Sequence, residues 1–525
     1  MIEVLIPVVT LGSSGEGVCP LHDQDHTKVP SSGSEGHIDV LAPSRPAHSR
    51  PEPTHYRGGM KSARHQRALL KDGVARRDFL RIVGLSTAGP LVAACSPVKT
   101  AAPTTATQPR TAVPNPTGAL ITRWRADPHA LGSYSYLSTA NVDGDRQLLA
   151  APIKDRIFFA GEATSSTNPA TVQGAVLTGF AAADAIAAST ASGGTVGIIG
   201  AGAAGLAAAS RLRDAGYEVT VFEVRDRIGG RVHTDQSLGT PVDLGASWID
   251  GVIGNPLTAI ADSIDAPRVR TDYESTVIYD ANGGWVPASV WNQPISAVNR
   301  ASRRGLTMAE AVDAAKEGLS PTAADRFDFV VVATYEHEYA ADIADLSADA
   351  LHEGDYFTGH DVTLPEGYQS LLEVLAEGVD IRLEAAASQV ALSDDEVQLT
   401  VANQEHHFDR CIVTLPLGVL KAGAVRFEPP LPADKQGAID RFGMGLLDKV
   451  VLEFSEVFWD RNFEWFGYVG PERGMWAQWF DLTDVVGRPM LVCFHAGSAA
   501  DRVASMSDDD IVAEAMDVLN AVFDG

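Results

Sequence analysis

The apolar positions of this chain fall into runs of different period, and those runs divide it. Residues 1–59 are rich in Pro, Ser, Gly and His and show little apolar periodicity, which predicts a disordered or untranslated extension ahead of a start at Met60. An apolar run from Ile82 to Ala94 follows the basic pair Arg76-Arg77 and ends in Leu91-Val92-Ala93-Ala94-Cys95. It is too short to span a bilayer, which takes about 20 residues, and has the plan of a signal peptide over residues 60–95. Residues 96–118, dominated by Ser, Pro, Thr and Ala, predict a semi-extended tether. Beyond it the pattern becomes globular. An alanine-rich helix runs to about Ala188. The unbroken apolar run Thr195-Val196-Gly197-Ile198-Ile199 predicts a buried strand, residues 203–215 a helix stopped by Gly216, and Tyr217-Glu218-Val219-Thr220-Val221-Phe222 a second, parallel strand. Lys449-Val450-Val451-Leu452-Glu453-Phe454 predicts another strand.

Composition sharpens this. The 525 residues suffice for two to four domains, and 45% hydrophobic content allows a sizeable core. A formal net charge of −27 argues against nucleic acid as a partner. The same charge draws cationic substrates toward a cleft or simply solvates the surface; both readings are open. The four cysteines, Cys19, Cys95, Cys411 and Cys493, have neither metal-ligand spacing nor a disulfide framework, so no metal is expected.

The strand–helix–strand unit carries Gly200-Ala201-Gly202-Ala203-Ala204-Gly205 at its first turn. Gly200 suits the tight turn, Gly202 lets backbone approach a pyrophosphate, and Gly205 permits close helix–strand packing. The helix start, at Ala203 and Ala204, then faces the phosphates. Glu223 ends the second strand about 20 residues past the glycines, where a carboxylate accepts from ribose hydroxyls. This predicts a dinucleotide site without separating NAD from FAD.

The residues that follow separate them by resemblance. Arg225-Asp226-Arg227-Ile228-Gly229-Gly230-Arg231, Asp243-Leu244-Gly245-Ala246-Ser247-Trp248-Ile249, Thr414-Leu415-Pro416-Leu417-Gly418 and Gly443 to Leu452 resemble the flavin amine oxidases, most strongly polyamine oxidases and the catalytic domain of histone lysine demethylases. The likeness spans about residues 117–525. It implies an α/β fold in which a doubly wound FAD-binding domain of the Rossmann-like, glutathione-reductase type is interleaved with an α+β substrate domain. The expected division is FAD-binding over 119–255 (a segment 119–188 plus the unit 195–255), substrate 256–361, FAD-binding 362–440 and substrate 441–525. The region 292–319 looks short and irregular for the family.

The order of motifs is unusual. Arg156-Ile157-Phe158-Phe159-Ala160-Gly161-Glu162-Ala163-Thr164 and Pro169-Ala170-Thr171-Val172-Gln173-Gly174-Ala175, which resemble the family's closing segment, precede the glycine turn that opens the family's fold. The chain thus resembles that family circularly permuted, with Ser189–Gly194 as a link reaching at most about 20 Å. Neither motif appears twice, which argues against duplication. The Arg76-Arg77 segment resembles a twin-arginine signal, and Cys95 a lipobox cysteine. These imply export to a bacterial envelope with a lipid anchor at Cys95, or a cytoplasmic protein if the segment is unused.

The resemblance also implies the chemistry: noncovalent FAD, because Ser133 stands where covalent members have cysteine; hydride transfer from an amine carbon to flavin N5; and reoxidation by O2 with release of H2O2. Lys449 is implied to hold a water against N5, Tyr134 to form one wall of an aromatic cage and Thr171 to stand at the opposite wall. Contacts to FAD are implied for Gly161, Glu162, Thr171, Val172, Ala175, Arg225, Gly229, Gly230, Arg231, Gly245, Ala246, Ser247, Trp248 and, through its backbone, Val390. As plain structure, Lys449 is a solvated strand lysine, Tyr134 a packed strand tyrosine and Trp248 a core tryptophan. Glu336, Glu338 and Asp355 are candidates for a distal ammonium. An L-amino acid oxidase is the alternative, needing an arginine such as Arg123 or Arg473 at the substrate carboxylate; a flavin-binding lipoprotein without turnover is a third. Oligomeric state is not legible.

Overall fold

The computed structural model describes residues 113–189 and 193–524. The expected extension, signal segment, lipobox cysteine and most of the tether lie outside those residues, as does the middle of the link between Ser189 and Gly194.

In chain order the elements that position the cleft are β1 (Gly118–Ile121), α1 (Asp145–Ala150), β2 (Ile157–Phe159), α2 (Val172–Ser189), β3 (Thr195–Ile199), α3 (Ala203–Asp214) and β4 (Glu218–Phe222). Next come β5 (Thr276–Asp280), β6 (Trp285–Val286), α4 (Asn292–Ala301), α5 (Met308–Lys316) and α6 (Pro321–Val331). After β7 (Asp380–Arg382) and β8 (Arg410–Val413), the chain ends with β9 (Leu447–Glu453), β10 (Trp465–Val469), β11 (Gln478–Asp481), β12 (Met490–Ala496), α7 (Gly497–Ala504) and α8 (Asp508–Phe523).

Among the described residues these strands form two main sheets. The first is parallel throughout, in the order β7-β4-β3-β8-β2. Helices α2 and α3 cover one face; the small sheet that includes Ala387–Leu392 and Val397–Val401 covers the other. Burial on both faces is why β2, β3 and β8 read as unbroken apolar runs. Strand β2, from the segment ahead of the glycine turn, completes this sheet beside β8. Helices α2 and α3 approach so closely that a Cβ on Gly179 would lie 2.2 Å from the Ala204 carbonyl oxygen.

The second sheet runs β1-β9-β12-β11-β10-β5-β6. Its residues alternate between two cores. Val450, Leu452, Leu491 and Cys493 face α8 through Ile511, Leu519 and Val522, while Val451, Val492 and Phe494 face the other side with Trp465 and Phe480. Lys449 pairs with Phe494 and shares that second side; Asp448 and His495 pair on the α8 side.

Three expectations are corrected. Residues 118–121 belong to the second sheet, not to the cofactor domain: β1 pairs antiparallel with β9, with Leu120 opposite Val451 and Ile121 opposite Val450, giving an otherwise bare edge its partner. The tether ends earlier than 118, because Val113 packs against the α8-side core and Thr117 N donates to the Glu453 carbonyl at 2.7 Å. Region 292–319 is regular, holding α4 and α5. Thr307 and Glu310 form a reciprocal capping box at the start of α5, the Thr-x-x-Glu signature of a helix start.

Candidate active site

A cleft of about 540 Å³ lies between the two main sheets, a volume typical of a site for a cofactor and a small substrate. Its floor is the glycine turn. Gly200 has φ +103°, and a Cβ there would meet Thr414 Oγ1 at 2.6 Å. A Cβ on Gly205 would lie 1.9 Å from the Gly200 carbonyl oxygen, so that glycine serves helix–turn packing and, unlike Gly200 and Gly202, does not line the cleft. Gly202 is open: the nearest atom to its Cβ position is Gly229 O at 3.9 Å. The amino termini of α2 and α3 both open on the cleft through Val172, Ala175, Ala203 and Ala204, and the N–H groups of a first helical turn have no intrahelical acceptor. Glu223 lines the cleft and accepts from Ala201 N at 2.8 Å and Arg225 N at 3.0 Å.

Above this floor the pair Gly229-Gly230 turns with φ +100° and +59°. Arg227 holds the turn by donating to Gly230 O at 3.1 Å. Arg225 pairs with Asp127 at 2.8 Å. Arg231 donates through Nη1 to Ser133 O at 2.8 Å and to Glu162 Oε1 at 2.9 Å. Glu162 also accepts from Ser135 Oγ at 2.7 Å. Burial alone would raise the Glu162 carboxyl, but Arg231, Ser135 and the more distant Arg146 hold it below its ordinary value. Gly161 and Glu162 both line the cleft. So do Gly245, where a Cβ would strike Arg231 O at 1.9 Å, Ala246 and Ser247.

Lys449 reaches this segment from β9. Its Nζ donates to Asp243 O at 2.8 Å, Gly245 O at 2.7 Å and Ser247 Oγ at 2.6 Å, using every proton an ammonium has. Burial pushes its pKa down to about 8, against the pull of the Asp243 carboxylate. Nζ also stands 5.8 Å from the Trp248 ring centroid. Trp248 stacks on Trp465 at 6.0 Å, and Tyr273 and Phe494 extend an aromatic wall along the cleft. Tyr134 lines the cleft and donates its hydroxyl to His337 O at 3.0 Å. Thr171 also lines it and caps the start of α2, accepting from Gly174 N at 3.0 Å. Lys449, Tyr134 and Thr171 therefore share one cavity.

Val390 does not join them. It is fully buried on the strand Ala387–Leu392, within the core that includes Phe222 and Val413, and Ala385, Ala386 and Ala387 form the cleft wall there instead. The strand begins at the cleft and runs away from it, which carries Val390 out of reach. Glu336 is likewise removed: it is 4% exposed and pairs with Arg473 at 2.9 Å. Glu338 and Asp355 do line the cleft. Arg123 is tied to Ala504 O, Met506 O and Asp508, and neither it nor Arg473 reaches the cavity. Sequence reading assigned no role to Ser135, Tyr273, Trp465 or Phe494. The signal for Phe494 was its alternation in step with Lys449, invisible until the two strands are paired.

These residues fit FAD. Gly202 leaves room that any Cβ would fill, and the buried Gln173 Oε1, Trp248 Nε1 and Trp465 Nε1 at the cleft have no partner among the described residues. Comparison with known proteins agrees. The family described as flavin containing amine oxidoreductase matches residues 77–187 and 203–524. Polyamine oxidase 2 of Arabidopsis thaliana is 33% identical over 342 residues, covering 59% of this chain and 69% of that protein. Lysine-specific histone demethylase 2 of Homo sapiens is 28% identical over 366 residues, covering 62% of this chain and 43% of that one. A structure of putrescine oxidase bound to putrescine superposes with a TM-score of 0.50 at 19% identity, covering 63% of this chain and 82% of that one, a likeness of fold. The chain belongs to the flavin-containing amine oxidoreductase family and is an FAD-dependent amine oxidoreductase.

Proposed function

We propose that this enzyme oxidises a small di- or polyamine. The observation that carries the reading is the Asp355 carboxylate, which lines the cleft, is exposed and makes no hydrogen bond or ion pair among the described residues. Glu338 lines the same cavity. Such carboxylates suit a second ammonium group held away from the reacting end. The reacting amine would lie uncharged against Trp248, Trp465 and Tyr273, whose faces exclude water. Among the described residues the cleft guanidiniums that a substrate carboxylate would need, Arg225 and Arg231, are engaged by Asp127 and Glu162, which disfavours an amino acid substrate.

Gly200, Gly202 and the start of α3 would hold the FAD pyrophosphate, Glu223 the ribose, and Arg231 with the 245–247 segment the ring. Ser133 supports noncovalent attachment: its hydroxyl donates to Leu447 O at 2.9 Å and accepts from Leu447 N at 2.8 Å, a structural use with no thiol. The chemistry FAD supplies when bound is two-electron oxidation of the amine C–N bond to an imine, with O2 as final acceptor giving H2O2 and water releasing the aldehyde. Lys449, as an ammonium, fixes the Asp243–Ser247 segment that would hold that ring.

We further read the chain as a circular permutant exported on its twin-arginine segment. Support for the permutation is that Val113 and Phe523 pack against one core while β2 and β3 flank β8 in one sheet. Anaerobic titration of the purified holoprotein with putrescine, spermidine, spermine, simple monoamines and L-amino acids tests the substrate reading. Faster bleaching of the flavin by di- and polyamines than by monoamines of equal chain length is expected. Bleaching only by an amino acid, or by nothing, overturns it.

A further inference from the structure

One buried arginine, outside the cleft, joins its two ends. Helix α1 starts with Asp145, whose carboxylate accepts from Val142 N at 2.9 Å, Asn141 Nδ2 at 3.0 Å and Arg441 Nε at 2.9 Å. That anchorage sets the direction of the next residue. The Arg146 side chain is 4% exposed and lies over the Phe442 ring at 4.7 Å. Its Nη1 donates to Ser135 Oγ at 3.1 Å and Ala163 O at 2.9 Å; Nε and Nη2 fork onto the two oxygens of Glu353, the latter at 2.8 Å. Ser135 passes the contact on, donating to Glu162 Oε2 at 2.7 Å, and Glu162 meets Arg231. On the other side Glu353 opens the loop that carries Asp355. The loop is pinned by Asp355 N donating to Thr167 O and by Asn168 Nδ2 donating to Asp355 O at 2.8 Å.

We propose that Arg146 is a positioning residue that couples the cofactor side of the cleft to its mouth: through Ser135 it braces Glu162, and through Glu353 it holds the Asp355 loop at the entrance. The part concerning substrate rests on the reading of Asp355 given above. A guanidinium suits the task because its planar fork meets one carboxylate with two parallel bonds and still has donors for Ser135 and Ala163. A lysine offers one point charge and cannot span both partners.

The test compares wild type with Arg146→Lys, Glu353→Gln and Ser135→Ala. Three quantities are read: FAD affinity of the apoprotein by flavin fluorescence, amide exchange of residues 353–357 with and without FAD, and KM for putrescine against a monoamine of equal chain length. Arg146→Lys is expected to weaken FAD by about ten-fold, to raise the putrescine KM by a similar factor with the monoamine KM within about two-fold, and to abolish the slowing of loop exchange that FAD produces in wild type. Glu353→Gln should reproduce the loop and KM effects, and Ser135→Ala the FAD effect, so the two arms stand even where Arg146→Lys does not fold. Loop exchange that ignores FAD in wild type, or FAD affinity that ignores both Arg146→Lys and Ser135→Ala, overturns the coupling. If wild type oxidises no amine, the substrate reading fails while the exchange and affinity arms still judge Arg146.

Discussion

The three acceptors around Lys449 Nζ hold a charge that burial disfavours, and this competition has a measurable consequence. The folded pKa is lowered from 10.5 to about 8, chiefly by desolvation. A depressed value means that the stability the group contributes is fully present above its unfolded pKa and is lost as pH falls through about 8. Wild type should therefore gain on Lys449→Met as pH rises from 7 to 10.5, by on the order of 2 kcal/mol. Paired urea melts at the two pH values check this; an unchanging gap would show that the ammonium carries no burial penalty. Asp448, on the other face of the same strand, works in the opposite sense. Burial raises its carboxyl to about 6, although Trp124 N and Thr122 Oγ1 both donate to it. Its stability is complete below the unfolded value near 4 and is lost as pH rises through 6. Asp448→Asn should match wild type near pH 4 and exceed it at pH 8 by on the order of 1–2 kcal/mol, read from thermal melts across that range. The roles of these two neighbours were unequally legible. The segment around Lys449 matches a family, whereas Asp448 looks like any strand carboxylate until its burial is seen.

At the scale of elements, the glycine turn separates two demands that the sequence motif presents as one. Gly205 is needed for packing, since its Cβ would lie 1.9 Å from Gly200 O; Gly202 is needed for space, since its Cβ would meet nothing nearer than 3.9 Å. Gly205→Ala should lower stability by about 1–3 kcal/mol and lose flavin with it. Gly202→Ala, at φ −81°, should keep wild-type melting as the apoprotein and still bind FAD poorly. Apoprotein melts beside flavin-to-protein absorbance ratios distinguish the two; a Gly202→Ala protein that keeps its flavin would mean that the phosphates bind elsewhere. The parallel unit β3–α3–β4 was legible because its apolar runs and turn residues are contiguous. Strand β1 was misassigned because its partner β9 lies more than 300 residues away, and nothing in Gly118–Ile121 says which sheet edge it completes. Val390 was misplaced for a related reason: the resemblance located its strand, but the direction in which that strand leaves the cleft is a tertiary fact.

For the whole molecule, the permuted order is a statement about which connections the fold requires. Strand β3 is held by β4 and β8 on its two sides, and α2 is held on α3 by close backbone contact at Gly179 and Ala204. None of these contacts depends on the link from Ser189 to Gly194. Val113 and Phe523 pack against a common core. A rearranged chain running from residue 195 to 524, then through a flexible linker of about ten residues into 113–189, should fold to the same two sheets. Moving a loop closure from one place to another changes stability by only about 1 kcal/mol, so its melting temperature should fall within a few degrees of the parent. Its flavin spectrum should be unchanged, because Glu162 and Thr171 would return to the cleft by the same contacts that hold them now. A yellow protein with the parent's melting point would make order dispensable and contacts sufficient. A colourless or unfolded one would show that the direct passage from α2 into β3 is itself part of how the two halves of the site assemble.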